Sequence, residues 1–295
     1  MKERQYQLNN WFAEECVDKS ISTITEILAS YYLKDCLSDL PRVAHPLTIG
    51  IVPDGLTPMS AGLDLLAVML AGHRAMVRQA PHDTLLLPAL LQALLPQCPW
   101  LPEVCFEERL SACNAIIVNE AETSSDAMRT YMARRPHLLR PPQCTVAILT
   151  GQESKGELSL LACEMTSYFG RARQSVRMIY VPENYDFLPL LEAIGSQSVF
   201  LQQHHQWLNH IEYQKSIRLM NNQFYMDAGT FLLVEHAQSL PPVGVIYYTF
   251  YKNNDSLKPA VEQEGFSVYN CEYQENICER YMDKTFDFLK NLPQI

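Results

Sequence analysis

The chain has 295 residues, 47% hydrophobic and 19% charged, enough to build a sizeable core in about two domains. A formal net charge of −10, from 33 acidic and 23 basic residues with no Lys/Arg cluster, argues against a nucleic-acid surface. The start MKERQYQLNN is too polar for a signal peptide, and no apolar run reaches roughly 18 residues, so no membrane span is expected. The first forty residues read as helical. Phe12, Cys16, Ile21, Ile24, Leu28 and Tyr31 recur at helical spacings, and Pro41 ends the run. From Pro46 the pattern alternates. LTIGIV (47–52) is a buried strand. Thr57 caps a helix with Pro58 at its first position, and Gly72 closes it. A short strand follows at 75–77, a helix at 84–95, a strand at 114–118 and a helix at 124–133. The stretch RRPHLLRPPQ is irregular, and a domain break is placed there, near residue 142.

The alternation then restarts. Strands are predicted at 144–149, 176–181, 231–235 and 243–251, and helices at 158–169, 186–194, 205–221 and from Asp255. Strands alternating with helices predict an α/β fold with mainly parallel sheets, in two units. The nine cysteines are scattered from Cys16 to Cys278 without metal-type spacing, and they read as reduced thiols of a cytoplasmic protein.

Residues 49–83 form strand, glycine-containing turn, amphipathic helix and strand. The helix start at Thr57 and Pro58 is where an anion would be held, although a plain βαβ packing unit accounts for the pattern equally simply. Neither GxGxxG nor GxxxxGK[ST] occurs.

The stretch SYFGRARQSVRMIYVPENYD (167–186) has a helix end on an aromatic pair, a tight turn and a strand. With RRPHLLRPPQCTVAILTGQE (134–153) and HHQWLNHIEYQKSIRLMN (204–221), it resembles the long-chain acyl-CoA reductases related to the fatty-acid reductase of bacterial luminescence. These belong to the aldehyde dehydrogenase superfamily. The resemblance runs from Asn10-Trp11-Phe12 through residues 281–289. It implies an aldehyde dehydrogenase-like fold, with a cofactor-binding domain over 1–142 and a catalytic domain over 143–295. It also implies NADPH-dependent reduction of a fatty acyl thioester to an aldehyde, through a cysteine that carries the acyl group.

Carried over position by position, the resemblance meets departures. The nucleophile position is Arg173, whose guanidinium is protonated at any accessible pH and has no lone pair to attack with. The oxyanion position is Leu56, and losing one such donor typically costs about 10²–10³ in rate. Thr57 and Arg78 stand at cofactor positions, and Arg78 would suit the extra phosphate of NADPH. Ala80 replaces a small hydroxyl residue, and Glu120 with Glu122 replaces a glycine- and serine-containing turn beside the cofactor. The expectation is therefore weak or absent NADPH binding and an impaired or inactive enzyme. Such a chain would act as a binding or assembly partner, of an active reductase or of an acyl-carrier pathway protein. The alternative is an active acyl-thioester reductase with a non-standard site. An oligomer is compatible with either.

Cys163 and Cys144 are the thiols nearest in sequence to Arg173. Neither has a neighbouring histidine to activate it, and both read as small buried hydrophobes. His204, His205 and His210 lack the i, i+4 spacing of a metal site, so no metal is expected. His73 is expected to be cationic at a helix end, and His82 to cap the helix that follows it.

Overall fold

The computed structural model describes residues 1–38, 40, 43, 45–98, 101–120, 125–236, 240–252, 257, 267–269 and 277–292. The chain forms two compact units, Met1–Pro142 with Asn276–Ile295, and Gln143–Glu275. Residues 276–295, expected in the second unit, return to the first. The physical reason is the apolar face of the last helix: Met282, Phe286 and Leu289, with Leu292 just beyond it, are buried in the core of the first unit.

The first unit opens with helices α1 (Lys2–Leu8), α2 (Glu14–Ala29) and α3 (Tyr31–Ser38). Then come β1 (Thr48–Val52), α4 (Gly62–Leu70), β2 (Arg74–Val77), α5 (Leu86–Leu94), β3 (Val104–Phe106), β4 (Ala115–Asn119), α6 (Asp126–Met132) and β5 (His137–Arg140). All five strands are parallel, in the order β3-β2-β1-β4-β5. Ile49, Ile51, Ala75, Val77, Ala115 and Ile117 bury one face against α4 and α5, while Ile116 and Val118 bury the other with Leu110 and Met132. Burial on both faces is what a parallel sheet requires, and it explains the continuous apolar runs in β1 and β4.

Several local expectations change. The helix expected from Thr57 starts at Gly62, and Thr57 caps nothing. Residues 57–61 form turns, with Met59 at φ 55°. β5 lies within the stretch read as irregular. His73 is buried, its Nδ1 accepts the Leu47 N–H at 3.3 Å, and desolvation pulls its pKa down, so the ring is neutral rather than cationic. His82 caps no helix: α5 begins at Leu86, and the His82 carbonyl accepts from Gln5 Nε2 at 2.6 Å.

The second unit contains β6 (Thr145–Ile148), α7 (Lys155–Thr166), β7 (Val176–Pro182), α8 (Leu188–Gln197), α9 (His205–Met220), β8 (Met226–Asp227), β9 (Leu232–Glu235), β10 (Val245–Tyr251) and β11 (Ser267–Tyr269). Their order is β11-β6-β7-β10-β9-β8, parallel except for the edge strand β8. α7 starts at a capping box in which Ser154 and Glu157 satisfy each other's backbone N–H groups. α9 starts at His204, whose Nδ1 accepts the Trp207 N–H at 3.1 Å. The helix expected from Asp255 lies outside the described residues. The last helix, α10 (Ile277–Lys290), belongs to the first unit.

Candidate functional site

In an open parallel sheet, ligands bind beyond the carboxyl ends of the strands, where the strand order reverses. In the first unit that point lies between β1 and β4. Four of the sequence-predicted positions meet along this edge of the sheet. Leu56 and Thr57 lie on the turn after β1, Arg78 directly follows β2, and Glu120 directly follows β4. Glu122 lies outside the described residues. Arg78 is exposed and extends the ladder, its N–H donating to Ile51 O at 2.9 Å. Glu120 is buried, with its N–H on Arg140 O at 3.0 Å.

The turn after β1 is closed on itself. Asp54 Oδ1 accepts the Leu56 N–H at 3.0 Å, Ser60 Oγ accepts the Gly55 N–H at 3.2 Å, and Asp83 Oδ2 accepts the Ser60 N–H at 3.3 Å. Gly55 sits at φ +68°, and a Cβ there would lie 2.6 Å from Cβ of Ala80. Gly55 and Ala80 thus let the turns after β1 and β2 pack against each other. Burial pushes the Asp83 carboxyl up to about 6, and Asp54 adds repulsion in the same direction.

Beneath this turn lies a charged cluster that sequence reading missed. Asp64, in the first turn of α4, is fully buried. Arg140 Nη1 meets both its oxygens at 3.1 and 3.2 Å. Asn119 Nδ2 (2.8 Å), Tyr281 OH (2.7 Å) and Thr285 Oγ1 (2.8 Å) also donate to it. Arg140 further donates to Asn119 Oδ1, Tyr281 O and Thr285 Oγ1, and its guanidinium lies 3.9 Å from the centre of the Tyr281 ring. Desolvation opposes the Asp64 charge, yet Arg140 and the three other donors hold its pKa below the usual range. One signal was present in the sequence: a lone carboxylate in the apolar helix GLDLLAVML demands a buried partner.

Among its described residues, this edge is a poor fit for a dinucleotide pyrophosphate. The amides of Gly55 and Leu56 are already bonded to side chains of the turn itself, and that of Ser60 to Asp83 from the loop after β2. The carboxylates of Asp54, Asp83 and Glu120 would repel it. Arg78 alone among the predicted cofactor positions carries a suitable charge.

In the second unit, the turn between α7 and β7 carries Arg173. Tyr168 (φ 54°), Phe169 (φ 59°) and Gly170 (φ 62°) are three successive residues in the left-handed region. The Arg171 N–H closes that turn on Tyr168 O at 3.0 Å. Aromatic packing over-determines it: the Phe169 ring lies 4.8 Å from His204, 5.5 Å from Trp207 and 5.8 Å from Phe200. Ala172 is buried, and Arg173 is half-buried just before β7. Cys144 is buried and its thiol is pushed up to about 11 by desolvation, with Arg177 partly offsetting this. Cys163 is half-buried, with its sulfur 3.9 Å from Ser167 Oγ.

Among the described residues no group of three or more His, Cys, Asp or Glu side chains could hold a metal ion, and no helix is long and apolar enough to cross a membrane. Neither a protein-family model nor a curated protein matches the chain. Solved structures do match. An aldehyde dehydrogenase from Bacillus cereus, in complex with NAD+, aligns at TM-score 0.55 and 13% identity, over 96% of this chain and 71% of that one. The Mycobacterium tuberculosis aldehyde dehydrogenase complexed with NAD+ aligns at 0.52 and 12%, over 80% and 59%. A Burkholderia cenocepacia structure assigned as an aldehyde dehydrogenase aligns at 0.52 and 15%, over 83% and 62%. The chain thus spans about three fifths of the length of the last two. At these identities the likeness speaks to architecture: the chain is an α/β protein with mainly parallel sheets and the fold of the aldehyde dehydrogenases.

Proposed function

We propose that this chain is a relative of the acyl-CoA reductases that has lost thioester chemistry and serves as a binding or assembly partner, of an active reductase or of an acyl-carrier pathway protein. The observation that carries this reading is Arg173. It stands in a tightly built turn, at the position where the resemblance expects a thiol. A guanidinium cannot form a thioester, and replacing the nucleophile of a covalent enzyme typically costs about 10⁶ in turnover. Cys144 is no substitute. With its thiol near 11, only about one molecule in ten thousand would carry the thiolate at neutral pH. Internal hydrogen bonding of the turn after β1 supports weak or absent NADPH binding.

The likeness to dehydrogenases solved with NAD+ favours a second reading, an active reductase with a non-standard site. Two measurements separate the readings. In intact-mass spectrometry after incubation with palmitoyl-CoA, the expected result is unmodified protein; a stoichiometric acyl adduct on Cys144 or Cys163 overturns the first reading. In isothermal titration with NADPH, no binding at micromolar concentrations is expected. Micromolar binding, with aldehyde formed from palmitoyl-CoA, establishes the second reading.

A further inference from the structure

The inward stripe of α9 is Trp207, Ile211, Gln214 and Arg218. The same helix carries a second apolar stripe on another side. Tyr213, Ile217 and Met220 recur at i, i+4 and i+7, a spacing that aligns them along one face. Tyr213 is 62% exposed and Met220 85%. The turn that follows prolongs the patch. Asn222 adopts φ 51°, and the Gln223 N–H donates to Arg218 O at 2.9 Å. All six residues 219–224 are exposed, among them Leu219 at 66% and Phe224 at 73%. No other six-residue stretch among the described residues exposes three large apolar side chains. Single exposed apolar residues are ordinary, whereas a cluster of them marks a surface that something covers.

Charge and area say what covers it. The chain carries a formal net charge of −10, so two copies repel each other over most of their surfaces. This surface is an exception. Between Tyr213 and Met220 the helix has two cations and no anion, and Arg218 is turned inward. Lys215 is neutralised by Glu212 at 2.9 Å and by Asp227 at 2.8 Å. An uncharged apolar face complements its own copy, as a two-fold contact requires, and offers a charged partner no counter-charge. The bond from Lys215 to Asp227 also places β8 beside α9, and β8 is the outermost strand of its sheet. The patch thus adjoins a sheet edge, which proteins ordinarily blunt or cover. Tyr213, Leu219, Met220 and Phe224 together leave on the order of 500 Å² in water, and two copies supply about 1,000 Å², where specific interfaces begin before any rim is added.

We propose that the outer stripe of α9, with the turn leading to Phe224, is a dimerisation surface whose occupant is the same surface of a second copy of this chain. The two copies meet across a two-fold axis. This contact lies in the second unit and uses neither the strand edge of the first unit nor the turn that carries Arg173. It stands whether or not the chain is catalytic.

Sedimentation equilibrium of the full chain tests the surface at about 1–100 µM, a range that spans ordinary protein association. The wild type is expected to be a dimer at the upper end. Met220→Glu and Phe224→Glu should each be monomeric there. A two-fold interface meets each substitution twice, so a hot-spot loss of about 30-fold per site becomes on the order of a thousandfold. Both positions are on the surface, so circular dichroism should match the wild type. If either variant unfolds, the neutral Met220→Gln and Phe224→Gln take its place and the same outcomes are expected. Leu28→Glu, at an exposed apolar position on α2 of the other unit, should leave the dimer intact. A monomeric wild type at 100 µM overturns the proposal and leaves the patch to a different partner. So does a dimer that survives the substitutions at 220 and 224, or one that Leu28→Glu dissociates equally, since added negative charge would then be the cause rather than the patch.

Discussion

Asp83 and Asp64 flank one turn as buried carboxylates, and they answer to pH with opposite signs. Asp83 titrates near 6 in the folded chain, against an unfolded value near 3.8, so the folded state binds its proton more tightly. Stability from this group is therefore full below the unfolded value and is lost as pH rises through about 6, by about 3 kcal/mol in all. The cause is visible in the packing. Asp83 Oδ1 and Gln5 Oε1 are both buried acceptors without hydrogen bonds, and a proton on Asp83 relieves one of them. Asp83→Asn should raise stability at pH 7–8 and flatten the profile between about pH 4 and 6, read by urea unfolding at each pH; an unchanged slope would show that the group titrates elsewhere. Asp64 is depressed, so its contribution is present above the usual carboxylate range and disappears as pH falls through its folded pKa. Asp64→Asn leaves Arg140 buried without its counter-charge, and a loss of about 3–5 kcal/mol is expected in the same assay. A loss under 1 kcal/mol would mean that Arg140 finds other compensation.

At the scale of elements, the left-handed turn after α7 gives the sharpest test. Gly170→Ala adds a Cβ 3.0 Å from Phe231 Cε1 and 3.1 Å from the Met165 carbonyl, at φ +62°. The backbone term alone is about 1–2 kcal/mol, and the contacts add to it, so a loss of 2 kcal/mol or more, roughly, is expected in chemical denaturation. Tolerance of alanine would show that the turn relaxes easily. How legible each element was in the sequence follows from the range of its determinants. β1 and β4 were readable because burial on both faces writes itself as an apolar run. β3 and β8 are too short to show any period. β5 was hidden because its paired residues His137–Arg140 mix exposed and buried positions within a proline-rich stretch. The start of α4 was misread because Thr57 and Pro58 make a strong local cap signal. The competing force, the Asp83 carboxylate on the Ser60 amide, comes from 23 residues further along. The partners of Asp64 were invisible for the same reason, since Tyr281 is 217 positions away. The turn after α7 drew attention by resemblance, but its three left-handed residues were not legible. Tyrosine and phenylalanine have no local preference for that region, and the aromatic packing that holds them is tertiary.

For the whole molecule, the division into units is an argument about cooperativity. Thr285 and Tyr281 reach Asp64, so α10 shares the fate of the first sheet although the rest of the second half of the chain does not. Native-state hydrogen exchange should therefore give the amides of α10 the same opening free energy as those of β4, and Tyr281→Phe should lower both together by about 1.5–3 kcal/mol. Exchange of α10 independent of β4 would break the link.

The return of α10 also sets an order of events during synthesis. The unit made first, Met1–Pro142, lacks its closing helix until the ribosome has traversed all of Gln143–Glu275. That interval is on the order of ten seconds at ordinary elongation rates. Through it, Asp64 and Arg140 have been made while Tyr281 and Thr285 do not yet exist, and the surface that α10 will cover has no helix on it. The unit encoded in the middle is continuous and can finish before the one that began it, so the nascent chain matures from the inside outward.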